Sequence, residues 1–169
     1  LDIERFTVTG ASKRGWTSWL TAATDPRVAS VAPMVIDMLN MPEQIRLQQD
    51  TFGGNLSEKI QDYKNINLPG RINSERGRQL IATVDPYQYR AQLTQPKLIL
   101  LATNDRYWPL DALSLYWNEL AEPKRVLYVP NQGHGLRDVN RVVGALSAVH
   151  RYAAEGKPLP ASKWSFVSK

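Results

Sequence analysis

The chain has 169 residues, 43% of them apolar and 22% charged, enough for one domain with a real core. Its net charge of +5 is spread along the sequence, with no run of five like charges and no basic stretch interleaved with aromatics. That pattern gives no footprint for nucleic-acid binding. The absence of cysteine excludes a thiol nucleophile, disulfides and Cys-based zinc sites, and no apolar run approaches the about 20 residues that cross a bilayer.

The first residues, Leu1 to Arg5, have neither the basic nor the apolar region of a secretion signal. They lead directly into a strand-like stretch, Ile3–Thr9, ending at Gly10, so the chain is expected to start inside a fold. Trp16–Thr24 is a compact helix candidate closed by Asp25-Pro26. Val28–Ile36 is a second apolar run. The stretch 37–95 then changes character. It is rich in Gln, Asn, Asp and Arg and has no convincing core strand, with helical pieces expected near Pro42–Phe52, Leu56–Lys64 and Ser74–Thr83. It reads as an insertion between two sheet strands, either a cap over a site or a solvated excursion.

Beyond it, Lys97–Ala102 (KLILLA) is nearly unbroken in apolar character, as a strand buried on both faces would be. Asp111–Leu120 reads as a helix with Asp111 as N-cap. Arg125–Val129 is a fourth strand. In Val139–Ala154 the apolar residues Val139, Val142, Val143, Leu146, Val149 and Ala153 fall at helical spacing. Residues 157–169 begin with a Pro-rich link, and Trp164–Val167 alternates like the start of a further β segment. Strands alternating with helices predict βαβ units, a mostly parallel sheet with helices on both faces, and one α/β domain over 1–156.

Chemistry concentrates at three strand ends. Val8-Thr9-Gly10-Ala11-Ser12-Lys13-Arg14-Gly15-Trp16 runs from strand through Gly-x-Ser directly into a helix, the layout of a nucleophile elbow. A structural serine in a strand–helix turn is the alternative. The pattern G-x-S-x-G is broken, because Arg14 holds the second glycine's place and Gly15 follows it. A serine needs a base, and the base an acid. Of the two histidines, His150 sits inside the last helix and reads as structural. His134 lies in a glycine-flanked loop (NQGHGL) between strand and helix. The acid of such enzymes falls between Ser and His in chain order. Asp105, just past the KLILLA strand, fits, and Asp111 is its competitor. Trp16, Tyr107 and Trp108 could line a pocket or pack in the core.

GASKRGWTSWL, LATNDRYWPLDA and NQGHGL resemble the PhoPQ-activated pathogenicity-related proteins, a bacterial branch of the α/β-hydrolases. The resemblance spans nearly the whole chain. It implies the C-terminal half of an α/β-hydrolase fold with a helical cap-like insertion, continued by a C-terminal β-rich segment. It also implies export and a Ser12–Asp105–His134 triad, whose expected chemistry needs no metal or organic cofactor. The elbow also resembles that of glucuronoyl esterases, in which the residue after the serine helps to bind the oxyanion. Lys13 stands there, with a solvated surface lysine as the alternative.

The expected reaction is acyl transfer from a small-molecule or peptide ester or amide through an acyl-enzyme. The alternatives are a peptidase using the same triad, a catalytically silent binding or signalling protein on the same scaffold, and an interaction domain. The second oxyanion donor normally lies on a loop after an early strand, which this chain lacks. The chain alone is therefore expected to be inactive, with its open sheet edge pairing with an N-terminal half or a second copy.

Overall fold

The computed structural model describes residues 3–160; the expected β segment at Trp164–Val167 lies outside them. Four strands form one parallel sheet in the order β1 (Phe6–Ala11), β2 (Val28–Met34), β3 (Lys97–Ala102), β4 (Lys124–Val129). Helix α1 (Lys13–Thr24) connects β1 to β2, and α6 (Val139–Ala154) follows β4. Between β2 and β3 lie α2 (Met41–Thr51), α3 (Gln61–Asn65), α4 (Leu68–Arg71) and α5 (Glu75–Val84), with 3₁₀ turns at Glu58–Ile60 and Pro86–Tyr89. A parallel sheet flanked by helices, with a helical insertion between β2 and β3, is the architecture expected from the sequence.

Strand β3 explains the sheet's position. All six of its residues are buried, and alternate ones enter different cores. Ile99 and Leu101 join a cluster with Trp19 of α1 and the apolar residues of the insertion. Leu98, Leu100 and Ala102 join Val142 and Val149 of α6. The two-residue period of the strand thus places α1 and the insertion on one face and α6 on the other. Strands β1 and β4 are the sheet's edges, and β1 is only half-buried.

The last helix has its expected bounds and is capped by Asp138, whose Oδ1 accepts from the Arg141 N–H at 3.2 Å. Helix α1 starts three residues earlier than its apolar pattern, because Lys13 and Arg14 are exposed and add no hydrophobic signal.

The expected helix Asp111–Leu120 is a correction. Two short 3₁₀ turns, Ala112–Leu115 and Trp117–Glu119, replace it, and the Asp111 side chain caps neither. Its carbonyls are drawn off by the insertion. Gln44 Nε2 donates to the Ala112 carbonyl at 3.0 Å, and Asn40 Nδ2 to that of Leu115 at 3.0 Å. Tyr116, between the two turns, is buried with its hydroxyl on Asp37 at 2.6 Å. Tertiary hydrogen bonds replace the α-helical ladder here.

Candidate active site

Ser12 sits between β1 and α1 at φ 55°, ψ −128°, strained for a residue with a Cβ. The Ser12 N–H donates to the Met34 carbonyl at 2.8 Å, and the Ser12 carbonyl accepts from the Trp16 N–H at 3.1 Å. The turn is possible because strand and helix nearly touch. A Cβ on Gly10 would lie 2.6 Å from the Arg14 carbonyl oxygen, and one on Gly15 would lie 2.8 Å from the Gly10 carbonyl oxygen and 2.7 Å from Ile36 Cγ2. The close approach that the usual pattern assigns to the second glycine therefore falls on Gly15, and Arg14 turns out to solvent. The Ser12 side chain does not cap α1, so the first N–H groups of that helix remain for an anion.

Asp105 and His134 meet directly. Strand β3 ends at Ala102, and the loop after it carries Asp105, whose side chain is only 7% exposed. Its Oδ2 lies 2.9 Å from His134 Nδ1, while its Oδ1 accepts from the Tyr107 N–H at 2.8 Å. A carboxylate can only accept, so the imidazole carries its proton on Nδ1 and Nε2 keeps a lone pair. The competitor, Asp111, takes no part in this contact.

Among the described residues the Ser12 hydroxyl makes no hydrogen bond. No hydrogen bond joins Ser12 to His134 among the described residues; the ring of Tyr107 stacks on the imidazole at 3.7 Å between centroids and 18° between planes. With Ser12, Tyr107 also lines a cavity of about 470 Å³. Trp108 is buried in the same wall, and its Nε1 has no hydrogen-bond partner among the described residues. The insertion also lines the cavity, through residues 58–63.

Lys13 also lines the cavity, but its ammonium is held across it by Asp62 of α3 at 2.9 Å, a contact that raises the lysine's pKa. A second ion pair joins Arg106 of the Asp105 loop to Glu58. Trp16 lies elsewhere: its Nε1 donates to the Val84 carbonyl at 2.7 Å, and its ring packs against the core. His150, in α6, pairs its Nδ1 with the Thr7 hydroxyl at 2.9 Å, and α6 packs on the face of the sheet opposite α1.

Two buried groups escaped the sequence reading. Asp37, three residues beyond β2, is buried beside a small cavity that Asp105 and Trp108 also line. Burial pushes its carboxyl up to about 7, opposed by the hydrogen bond from Tyr116 and reinforced by Asp105 and Asp111. Gln48 of α2 is wholly buried and reaches the Tyr107 carbonyl. The only sequence signal for it is its position on the helical stripe Met41, Gln44, Ile45, Gln48, all buried.

Similar solved structures have the same fold. An acetyl xylan esterase from Thermoanaerobacterium is 19% identical with a TM-score of 0.62, covering 86% of this chain and 45% of that one. A puromycin hydrolase is 20% identical with a TM-score of 0.66, covering 96% of this chain and 24% of that one. Autocrine proliferation repressor protein A of Dictyostelium discoideum is 32% identical over 168 residues. That alignment covers 97% of this chain, which spans about a third (34%) of the relative's length. The model of one protein family matches residues 1–169 throughout, and the chain belongs to that family, the PhoPQ-activated pathogenicity-related proteins.

Proposed function

We propose that residues 1–169 carry the nucleophile, base and acid of a serine hydrolase acting on carboxylic esters. The observation that carries this reading is the 2.9 Å contact of Asp105 with His134 Nδ1. It leaves Nε2 as the basic nitrogen, and the strained Ser12 lines the same cavity as Tyr107, whose ring stacks on that imidazole.

In the productive complex Nε2 takes the Ser12 proton as Oγ attacks the carbonyl carbon. The new C–O bond puts negative charge on the carbonyl oxygen, and the N–H groups at the start of α1 face such a charge favourably. Collapse expels the alcohol, which receives the proton from the imidazolium. Water then repeats the sequence on the acyl-enzyme and restores Ser12. Asp105 stabilises the imidazolium throughout and stays ionised. No step requires a metal or organic cofactor.

The test is labelling of the intact protein with a fluorophosphonate probe, followed by peptide mapping. Modification confined to Ser12, lost in His134→Ala, supports the proposal. Failure to label under conditions where a control serine esterase reacts would leave a silent scaffold. A panel of matched esters and amides then separates esterase from peptidase action.

A further inference from the structure

We infer that Gln48 and Tyr107 form a positioning device that holds the His134 imidazole against its acid, so that the insertion is a working part of the catalytic apparatus. The inference rests on the hydrolase reading above.

Gln48 lies on the buried stripe of α2, anchored beside Met41 and Ile45. Its amide is used on both sides. Nε2 donates to the Tyr107 carbonyl at 2.8 Å, and Oε1 accepts from the Ser57 N–H at 2.9 Å. The Ser57 hydroxyl in turn donates to the Arg106 carbonyl at 2.5 Å. Two consecutive carbonyls of the loop after β3 are therefore held by the insertion, which fixes the peptide planes around Tyr107.

Tyr107 passes that constraint to both members of the pair. Its N–H donates to Asp105 Oδ1 at 2.8 Å, which orients the carboxylate so that Oδ2 meets His134 Nδ1 at 2.9 Å. Its ring lies 3.7 Å from the imidazole and nearly parallel to it. Stacking limits rotation of the imidazole out of the plane in which it donates to Asp105. Five hydrogen bonds and one stacked pair thus run without interruption from the insertion to the catalytic base.

The chemistry favours positioning over filling. A leucine would occupy much the same volume as Gln48 without the cost of desolvating an amide, a cost that is acceptable only where every polar atom is paired. Both polar atoms of Gln48 are paired, and both partners hold the loop that carries the acid.

The test uses the intact protein, with the pH dependence of Ser12 labelling by a fluorophosphonate and p-nitrophenyl acetate turnover as readouts. Gln48→Leu removes both amide bonds. Because a misplacement of about 1 Å costs about 100-fold in rate, labelling and kcat should fall by about that factor while KM changes little. The acid limb of the pH profile should also move as the coupling to Asp105 loosens, a change that loss of stability alone would not produce. Tyr107→Ala tests the same chain from the loop after β3, leaving the backbone bonds of residue 107 and the amide bonds of Gln48 in place, and it decides the matter if Gln48→Leu fails to fold. It should also slow labelling and shift the profile, whereas Tyr107→Phe, which keeps the ring and the backbone bonds, should restore both. Wild-type labelling rates and an unmoved profile in Gln48→Leu or Tyr107→Ala would overturn the positioning role. A wild-type protein that does not label at all would instead overturn the hydrolase reading on which it rests.

Discussion

Replacing Asp37 by Asn should change how stability depends on pH, by an amount the structure sets. Asp37 is buried, faces Asp105, Asp111 and the hydroxyls of Tyr116 and Tyr128, and has no ion-pair partner among the described residues. Its carboxyl titrates at about 7 in the folded protein against 3.8 as a free side chain. Between those values the folded state holds a proton that the unfolded state has released, so stability falls as pH rises. A shift of about three units at 1.36 kcal/mol each amounts to about 4 kcal/mol. That cost is absent below about pH 4 and fully developed above about pH 7.

Asparagine cannot ionise, and its carbonyl can still accept the 2.6 Å bond from Tyr116. Urea unfolding of wild type and Asp37→Asn at pH 4.5 and pH 8 isolates the effect. Any cost of fitting the amide is the same at both pH values and cancels in the difference. The variant should gain about 3–4 kcal/mol relative to wild type on going from the lower pH to the higher. An equal stability difference at both pH values would show that Asp37 is ionised throughout, and would refute the reasoning that burial raises its carboxyl to about 7.

Other perturbations follow from the same contacts. In Asp105→Asn, the amide oxygen can keep the Tyr107 N–H only if the NH₂ faces His134 Nδ1, which stabilises the wrong tautomer. Ester kcat should fall by about 10⁴-fold with little change in thermal midpoint, and a loss under tenfold would argue against the assigned base. Gly15→Ala places a methyl 2.8 Å from the Gly10 carbonyl oxygen, and should cost about 2–3 kcal/mol by denaturant unfolding and slow Ser12 labelling. Lys13→Ala should leave kcat within about threefold and raise KM, because the exposed ammonium is engaged by Asp62 and only the backbone N–H stays at the elbow; a fall of 100-fold in kcat would restore the ammonium to the oxyanion site. Trp16→Phe removes the bond to the Val84 carbonyl and should cost about 1–2 kcal/mol with no effect on substrate preference, which a panel of acyl chain lengths would check.

The parts legible in the sequence were those in which one periodicity dominates. KLILLA could only be a strand covered on both sides, and both its bounds match. Val139–Ala154 shows an unmixed helical stripe, and its bounds match as well. Asp105 and His134 could be paired because chain order and strand ends left few alternatives, and their side chains do meet. Where tertiary contacts decide, local pattern gives no warning. Residues 111–120 have helical propensity, but Gln44 and Asn40 from sixty or more positions earlier take the carbonyls an α-helix would need. Gln48 looks like a solvated glutamine in a polar helix until its partners are seen, one of them the Tyr107 carbonyl on the loop after β3, which the sequence does not place nearby.

The elbow shows why a broken consensus was a poor guide. A motif records which residues usually meet a geometric demand, and the demand here is that strand β1 and helix α1 approach at carbonyl distance. Gly10 satisfies it from the strand side, where any Cβ would strike the Arg14 carbonyl. On the helix side the approach falls at the third residue after the serine, where Gly15 packs against Ile36 and the Gly10 carbonyl. Arg14 at the second residue meets no such wall and remains exposed. The glycine has moved one place along the helix with the contact it serves, and the serine keeps the strained φ of 55° that the turn imposes. Only the steric requirement, applied residue by residue, tells this displaced glycine from a lost one.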